Sequence, residues 1–519
     1  MIKKNLAASI AVLLFIPLWL SAQTGPVNLE MVYKIKQEGF KNSGIEELSF
    51  WMTDFVGPRL TASDGKKRAD EWTRDKMEEF GLQNVRVEVA RPFNRGGWDN
   101  QKTYVAMTAP YYTNFAANPK AWTGSTNGLI RGEAVLLNIQ EEADFEKYKG
   151  TLNGKIILTP VTTENEVSFE PFASRYTDEE LEALEQAVIS RGRRGGNVNM
   201  NDYRRRMTVQ RQLGTFLQEE GAAAIINGSG TFNVPRSSGA NYNSGDSLPV
   251  PEVNLPVEAH GRMVRLINHD VKVEVELEVK NKFSDNPNVT NVIGEIPGTD
   301  PKLKDEIVLI GGHLDSWHGG TGAADNASGC IVMMEAMRIL KSLDVKPRRT
   351  IRIALWGGEE QGLNGSRGYA EKYLRDTEGN MLKGFDQFAV YFNMDNGTGK
   401  FRGIYLQEND MVRPVFESWL EPFADMGCST LTSRTTGGTD HLSFDGMGLP
   451  AYQFIQDDIE YDRGYHTTMD TYERLIMDDL RQNAVIVASL VYNAAMRDQV
   501  LPRKPQIESL QRNQQRRMF

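Results

Sequence analysis

The sequence predicts an α/β fold: a mostly parallel sheet sandwiched by helices, with a β-rich module inserted into it. Three observations predict this. First, the chain has 519 residues, too many for one compact domain, so a core with an insertion is the expected plan. Second, after Pro287 apolar runs of strand length alternate with helical stretches, the signature of a parallel sheet covered on both faces. Third, residues 129–279 have a different texture, with short strands set off by glycines and charged segments.

The elements follow in chain order. Lys3 and Lys4 precede a nearly unbroken apolar run over 6–20, and Ser21-Ala22-Gln23 supplies small residues for cleavage. Residues 1–22 are therefore expected to be an export signal. No second apolar run of membrane length follows, so the mature chain is expected outside the cytoplasm, secreted or periplasmic, with no integral membrane segment. Residues 28–90 read as helical with a strand at the end: Gly81 caps a helix, and Val85, Val87 and Val89 alternate. Residues 94–127 are rich in turn formers and show no clear period.

Within the insertion, strands are expected over 132–137, 154–158 and 221–226, the last fed by a helix over 208–220. An acidic helix is expected over 178–187, and alternation of valine or leucine with charge marks a half-buried strand over 271–279. The Gly/Arg/Asn stretch that begins at Arg191, with its arginines running to Arg206, reads as a solvated loop, and His260 and His269 as surface residues. The expected organisation is a first catalytic part over 23–124, an inserted domain over 125–284, the main catalytic part over 285–502 and a basic tail over 503–519.

Bulk composition narrows the function. Apolar residues make up 40% and charged residues 25%, which is ordinary for a soluble protein. The net charge of -10 argues against a nucleic-acid partner. The two cysteines, Cys330 and Cys428, cannot build a disulfide scaffold and read as ordinary thiols.

The chemistry gathers where the strands end. The run 307–311 leads into Gly312-His313-Leu314-Asp315. The run 351–356 leads into Gly357-Gly358-Glu359-Glu360, and 388–392 into Asn393-Met394-Asp395. In open α/β sheets, ligands bind in the crevice outside the carboxyl ends of the strands. Asp325 lies in a loop before a helix, and His466 lies far downstream. A lone histidine is usually structural and an aspartate before a helix is usually a cap. Several carboxylates leaving apolar strands together are different, because their desolvation needs a positive partner. No lysine or arginine occurs in these motifs before Arg367. A divalent cation would meet that need, and His/carboxylate ligation without cysteine suits zinc, with manganese or cobalt also fitting. In the adjacent pair Glu359-Glu360, one carboxylate can ligate while the other stays free to take a proton from an attacking water.

The stretches GGHLDS, GAADNASG, WGGEEQGLNGS, NMDNG, GGTDHLSF and YHTTMDTYE resemble, in the same order, the motifs of a zinc exopeptidase family. That family includes bacterial leucyl aminopeptidases, glutamate carboxypeptidase and plasma glutamate carboxypeptidase, and GPRLT at 57–61 is similar to its N-terminal region. The resemblance covers roughly residues 45–495. It implies a phosphorylase/hydrolase-like core, and GKIIL and GAAAII make the insertion similar to a protease-associated domain. It also implies two zinc ions per subunit: His313 and Asp395 complete one site, Glu360 and His466 the other, and Asp325 bridges them. Glu359 would be the general base and Asp315 would hold His313. Asp325-Asn326 would be a cis peptide, and Tyr465 matches an oxyanion-steadying position of one member.

Asp440 and His441 are expected to line the substrate pocket, and His318 is expected to be structural. The implied substrate is a peptide or dipeptide. A free amine would need Asp440, Asp457 or Asp458, and a free carboxylate would need Arg434 or Arg463, so the chain end attacked stays open. A glutaminyl cyclase on the same fold and a non-catalytic binding protein are the alternatives. A homodimer is compatible with the sequence.

Overall fold

A computed structural model describes residues 27–161, 167–187 and 200–504, with the backbone alone for 200–207, 210 and 211. The expected signal segment, the Gly/Arg/Asn stretch up to 199 and nearly all of the basic tail lie outside the described residues.

The apolar runs after residue 287 form the centre of an eight-stranded sheet. With strands numbered along the chain, its order is β1 (Gln83–Pro92), β10 (Asn288–Ile296), β12 (Thr350–Trp356), β11 (Ile307–His313), β13 (Phe388–Asn393), β16 (Ala451–Gln456), β14 (Phe401–Tyr405) and β15 (Thr430–Thr432). The four strands β12, β11, β13 and β16 are mutually parallel, with Ile310 of β11 opposite Ile353 on one side and Phe392 on the other. These strands read as continuous apolar runs because helices cover both faces. Ser328–Ser342 and Met477–Met496 pack on one face, with Leu29–Lys41 outside them, and Asn364–Tyr373 packs on the other.

Four of the seven strand pairings in this sheet are parallel, as expected, and three are antiparallel. β10 runs antiparallel to β12, β1 to β10, and β14 to β16. The reason at one edge is how the second sheet is attached. That sheet has the order β3 (Thr113–Asn114), β2 (Gly97–Ala109), β9 (Glu274–Ser284), β5 (Ile130–Leu136), β6 (Ile156–Leu158), β7 (Ala224–Gly228), β8 (Glu252–Leu255) and β4 (Asn118–Pro119). β1 passes almost directly into β2, and β9 into β10. β1 pairs antiparallel with β10 and β2 with β9, with Pro92 opposite Asn288 and Gly97 opposite Ser284. One two-stranded ribbon thus runs through both sheets, and it needs only short connections where parallel strands would need crossovers. Gly97, ahead of residue 125, already pairs within the second sheet.

That ribbon corrects the reading of 94–127, which contains a 13-residue strand. Its alternation is hidden because the register slips between Asn100 and Lys102, a bulge amid the polar residues Asn100, Gln101 and Lys102. The helix expected over 208–220 starts earlier, at Met200, so Arg204–Arg206 lie on a helix. His260 is buried, on the inner face of the helix Val257–Asn268, and burial pushes its pKa down to about 4. His269 is exposed. Both cysteines are free and buried. Gly81 follows the helix Asp64–Glu79 with φ 77°, the left-handed conformation that ends helices at low steric cost. No helix among the described residues is long and apolar enough to cross a membrane.

Gly311 of β11 is needed for close approach. A Cβ there would fall 2.0 Å from the Ala354 carbonyl oxygen on β12. Gly311→Ala is expected to cost about 1–3 kcal/mol of unfolding free energy, the usual penalty for overpacking a core. A urea titration reading an unchanged midpoint would refute it.

Candidate active site

The parallel register carries three strand ends to one edge. His313 closes β11 opposite Trp356, the last residue of β12, and Gly311 pairs with Asn393 at the end of β13. Glu359-Glu360 and Asp395 therefore emerge beside His313. Asp325 comes from the turn Ala323–Ala327 that feeds the helix Ser328–Ser342, and the Asp325-Asn326 peptide is cis. His466 follows the short helix Tyr461–Gly464 and has φ 57°.

These side chains sort into two halves joined by one carboxylate. Asp325 Oδ1 is 3.1 Å from His313 Nε2, and Asp325 Oδ2 is 3.1 Å from His466 Nε2. In the first half, His313 Nε2 also lies 3.2 Å from Asp395 Oδ1. In the second, His466 Nε2 lies 2.9 Å from Glu360 Oε2. One donor atom each from His313, Asp325 and Glu360 lie within 4.8 Å of one another.

The charge in this cluster is unbalanced. Burial pushes Glu359 up to about 11, and the charges of Asp395, Asp440 and Glu360 add to it. Burial and Asp325 raise Glu360 to about 8. Burial alone would lower His466, but its hydrogen bonds to Asp325 and Glu360 raise it to about 9. His313 is raised against its burial by Asp395 and Asp325. The protons so held stand where positive charge is missing. The donor set fits divalent metal: nitrogen and oxygen ligands in two groups with a shared carboxylate, and a buried Glu360 Oε1 that no hydrogen-bond donor meets. Such a set suits zinc.

Asp315 supports the site in a way the sequence does not reveal. Its main-chain carbonyl, not its carboxylate, lies 2.9 Å from His313 Nδ1, while Oδ1 is 3.7 Å away. The buried carboxylate accepts from the Glu359 N–H at 3.2 Å, the Glu360 N–H at 3.3 Å and the Thr61 hydroxyl at 3.0 Å. One residue thereby fixes a histidine on β11 and the backbone of both glutamates after β12. Glu359 itself is half-buried, and no hydrogen bond or ion pair holds its carboxylate among the described residues.

Tyr465 stacks on the His466 ring with centroids 3.5 Å apart. Burial and the charges of Asp325 and Glu360 raise its phenol, so it stays protonated. Asp440 is fully buried, accepts from the Ser366 hydroxyl, and is raised to about 7 chiefly by burial. The His441 ring is buried too, with Nε2 2.9 Å from Gln407 Nε2 and 3.2 Å from the Thr436 carbonyl. Both stand behind the cleft rather than on its surface. The Arg463 guanidinium lies over the rings of Phe172 and Phe232, at 4.8 and 5.2 Å, where the insertion meets the catalytic unit. Asp457 is held by Arg175, Arg402 and the Tyr176 N–H. His318 is half-buried, with Nε2 2.7 Å from the Pro119 carbonyl.

Two residues that sequence reasoning left without a role shape the site. The Asp470 carboxylate accepts from the main-chain N–H of Ala324 at 2.6 Å and of Asp325 at 3.1 Å, which orients the bridging residue. Arg59 is wholly buried and donates to the carbonyls of Gly57, Leu314, Thr321 and Gly322, clamping the loop between His313 and Asp325. Their place in the motifs YHTTMDTYE and GPRLT was the available signal. The insertion also reaches the site: the Ser237 N–H donates to the His466 carbonyl at 2.7 Å, and Arg236 donates to the Tyr465 carbonyl at 3.1 Å.

Known proteins similar to this chain span most of its length. Carboxypeptidase Q of Mus musculus is 24% identical over 484 residues, which cover 92% of this chain and 90% of that protein. Two solved structures share the fold. One is a peptidase M28 precursor from Shewanella amazonensis SB2B, with TM-score 0.65 and 23% identity, covering 92% of this chain and 99% of that one. The other is BSAP, a zinc aminopeptidase from Bacillus subtilis, with TM-score 0.53 and 22% identity, covering 88% and 95%. Residues 291–491, which hold every one of these paired side chains, match peptidase family M28.

Proposed function

We propose that the chain is a zinc-dependent metallo-exopeptidase that hydrolyses peptides or dipeptides, with two zinc ions held by His313, Asp325, Asp395, Glu360 and His466. The observation that carries this reading is the placement of Asp325, each of whose oxygens faces a different histidine–carboxylate pair. Two zinc ions bound there would polarise the scissile carbonyl and acidify a water. Glu359, unpartnered beside them, takes the proton of the attacking water and returns it to the departing amine. Its burial favours the protonated form once that proton arrives. Asp315 keeps Glu359 and Glu360 apart in direction by holding both backbone N–H groups. Tyr465 stays protonated and donates to the developing oxyanion. Residues 1–22 serve as the export signal in this reading, and the second sheet braces the His466 loop.

The relatives act at opposite chain ends by name, a carboxypeptidase and an aminopeptidase. The test therefore uses a free dipeptide, its N-acetylated form and an N-terminal glutamine peptide. Cleavage of the dipeptide that is lost on chelation and restored by zinc is the expected result. Cyclisation of the glutamine peptide without cleavage of any bond would overturn the proposal.

A further inference from the structure

The two proposed metal positions hold their histidines by different means. A ligating imidazole ordinarily donates its other ring N–H to a carbonyl or carboxylate, which fixes the ring. His313 Nδ1 is placed to do so, 2.9 Å from the Asp315 carbonyl. His466 is not. Both of its carboxylate neighbours, Asp325 and Glu360, stand at Nε2, and no acceptor meets Nδ1 among the described residues.

Two rings confine that imidazole instead. Tyr465 stacks on it at 3.5 Å, and Trp317 packs against it with centroids 5.8 Å apart and planes at 61°. The unit built on the second sheet helps to place both rings. The Trp317 Nε1–H is buried and meets no acceptor among the described residues, so packing rather than a hydrogen bond holds the indole. Trp122 meets it in a T-shaped contact at 6.3 Å, a preferred arrangement of aromatic rings. Gly239 lies so close that a Cβ there would fall 2.7 Å from Trp122 Cζ3 and 3.2 Å from Trp317 Cη2. On the other ring, Arg236 donates to the Tyr465 carbonyl at 3.1 Å and lays its guanidinium 5.4 Å from the ring centre, within cation–π range.

We propose that the unit built on the second sheet sets zinc affinity at the Glu360–His466 position, with Trp317 and Tyr465 as positioning residues for the imidazole and Gly239 and Arg236 holding them in place. The inference rests on the two-zinc reading and deepens it: the two positions load separately, and one of them answers to the insertion. A ring held by packing keeps its direction only while its neighbours stay packed.

The test titrates zinc into the metal-free chain by calorimetry, which reads each binding step without turnover. Trp317→Ala is expected to weaken one step by about 10–100-fold, the usual effect of losing a supporting partner, and to leave the other near the parent value. His466→Ala identifies the step, since it should abolish the same one. Trp317→Phe, which keeps an aromatic ring, should restore most of the affinity. Gly239→Ala replaces no proposed ligand, yet it crowds Trp122 and Trp317 together and should weaken that step too. Should Trp317→Ala fail to fold, Gly239→Ala and Trp317→Phe carry the test. A step unmoved by Trp317→Ala or by Gly239→Ala, or an equal loss in both steps, overturns the proposal and leaves the two-zinc reading standing. A parent chain that binds a single zinc overturns both.

Discussion

Glu359→Gln is expected to bind zinc as the parent does, fold as the parent does, and lose roughly 10²–10⁴ of kcat, the range for a positioned general base. The prediction follows from what Glu359 does not touch. It belongs to neither histidine–carboxylate pair, since His313 meets Asp325 and Asp395 while His466 meets Asp325 and Glu360. Its place is set through the main chain, where the N–H donates to Asp315, and a glutamine keeps that bond. The substitution therefore removes a proton acceptor and little else. Zinc content by elemental analysis and the circular dichroism spectrum should match the parent while turnover collapses. Glu360→Gln is the informative contrast, because its oxygen faces His466 at 2.9 Å and its loss should show in zinc content first. Normal turnover in Glu359→Gln would remove the residue from the mechanism.

The site was more legible in the sequence than the architecture that holds it. β11, β12 and β13 are buried on both faces, so their apolar runs announce them, and the polar residues that follow each run stand out. Which half of the site each residue would join was not readable from spacing; only the family resemblance implied it. The ribbon from β1 to β2 and from β9 to β10 was hidden because it pairs residues far apart in sequence and carries a bulge at Asn100–Lys102. The contact of the segment 167–187 with the catalytic unit was hidden for the same reason, since Arg175 meets Asp457 and Asp479 across 282 and 304 residues. His260 was readable. Val257, His260, Met263 and Val264 fall at helical spacing and are all buried, and a period count over that segment would have turned the histidine inward.

Asp325→Asn is expected to empty both metal positions, with a correspondingly large loss of hydrolysis. Every other proposed ligand stands in one half of the site, whereas Asp325 faces both histidines at 3.1 Å. An asparagine keeps the shape but offers one oxygen and one N–H₂, so one half loses its donor outright and the other loses the negative charge. Removing an outer-shell partner typically costs 10–100-fold in affinity, and losing a shared direct ligand should cost more than that. Zinc per chain after dialysis is then expected to fall towards none, whereas His466→Ala should retain the ion of the His313–Asp395 half. Unfolding is a separable cause of the same loss. Against its burial, hydrogen bonds to His313 and His466 hold the Asp325 carboxyl below its usual range, so its charge stabilises the metal-free fold. The chelated variant should therefore melt somewhat below the chelated parent, and zinc content is read at a temperature where both stay folded. Two zinc ions per chain with ordinary turnover in Asp325→Asn would break the bridging assignment and the two-metal mechanism with it.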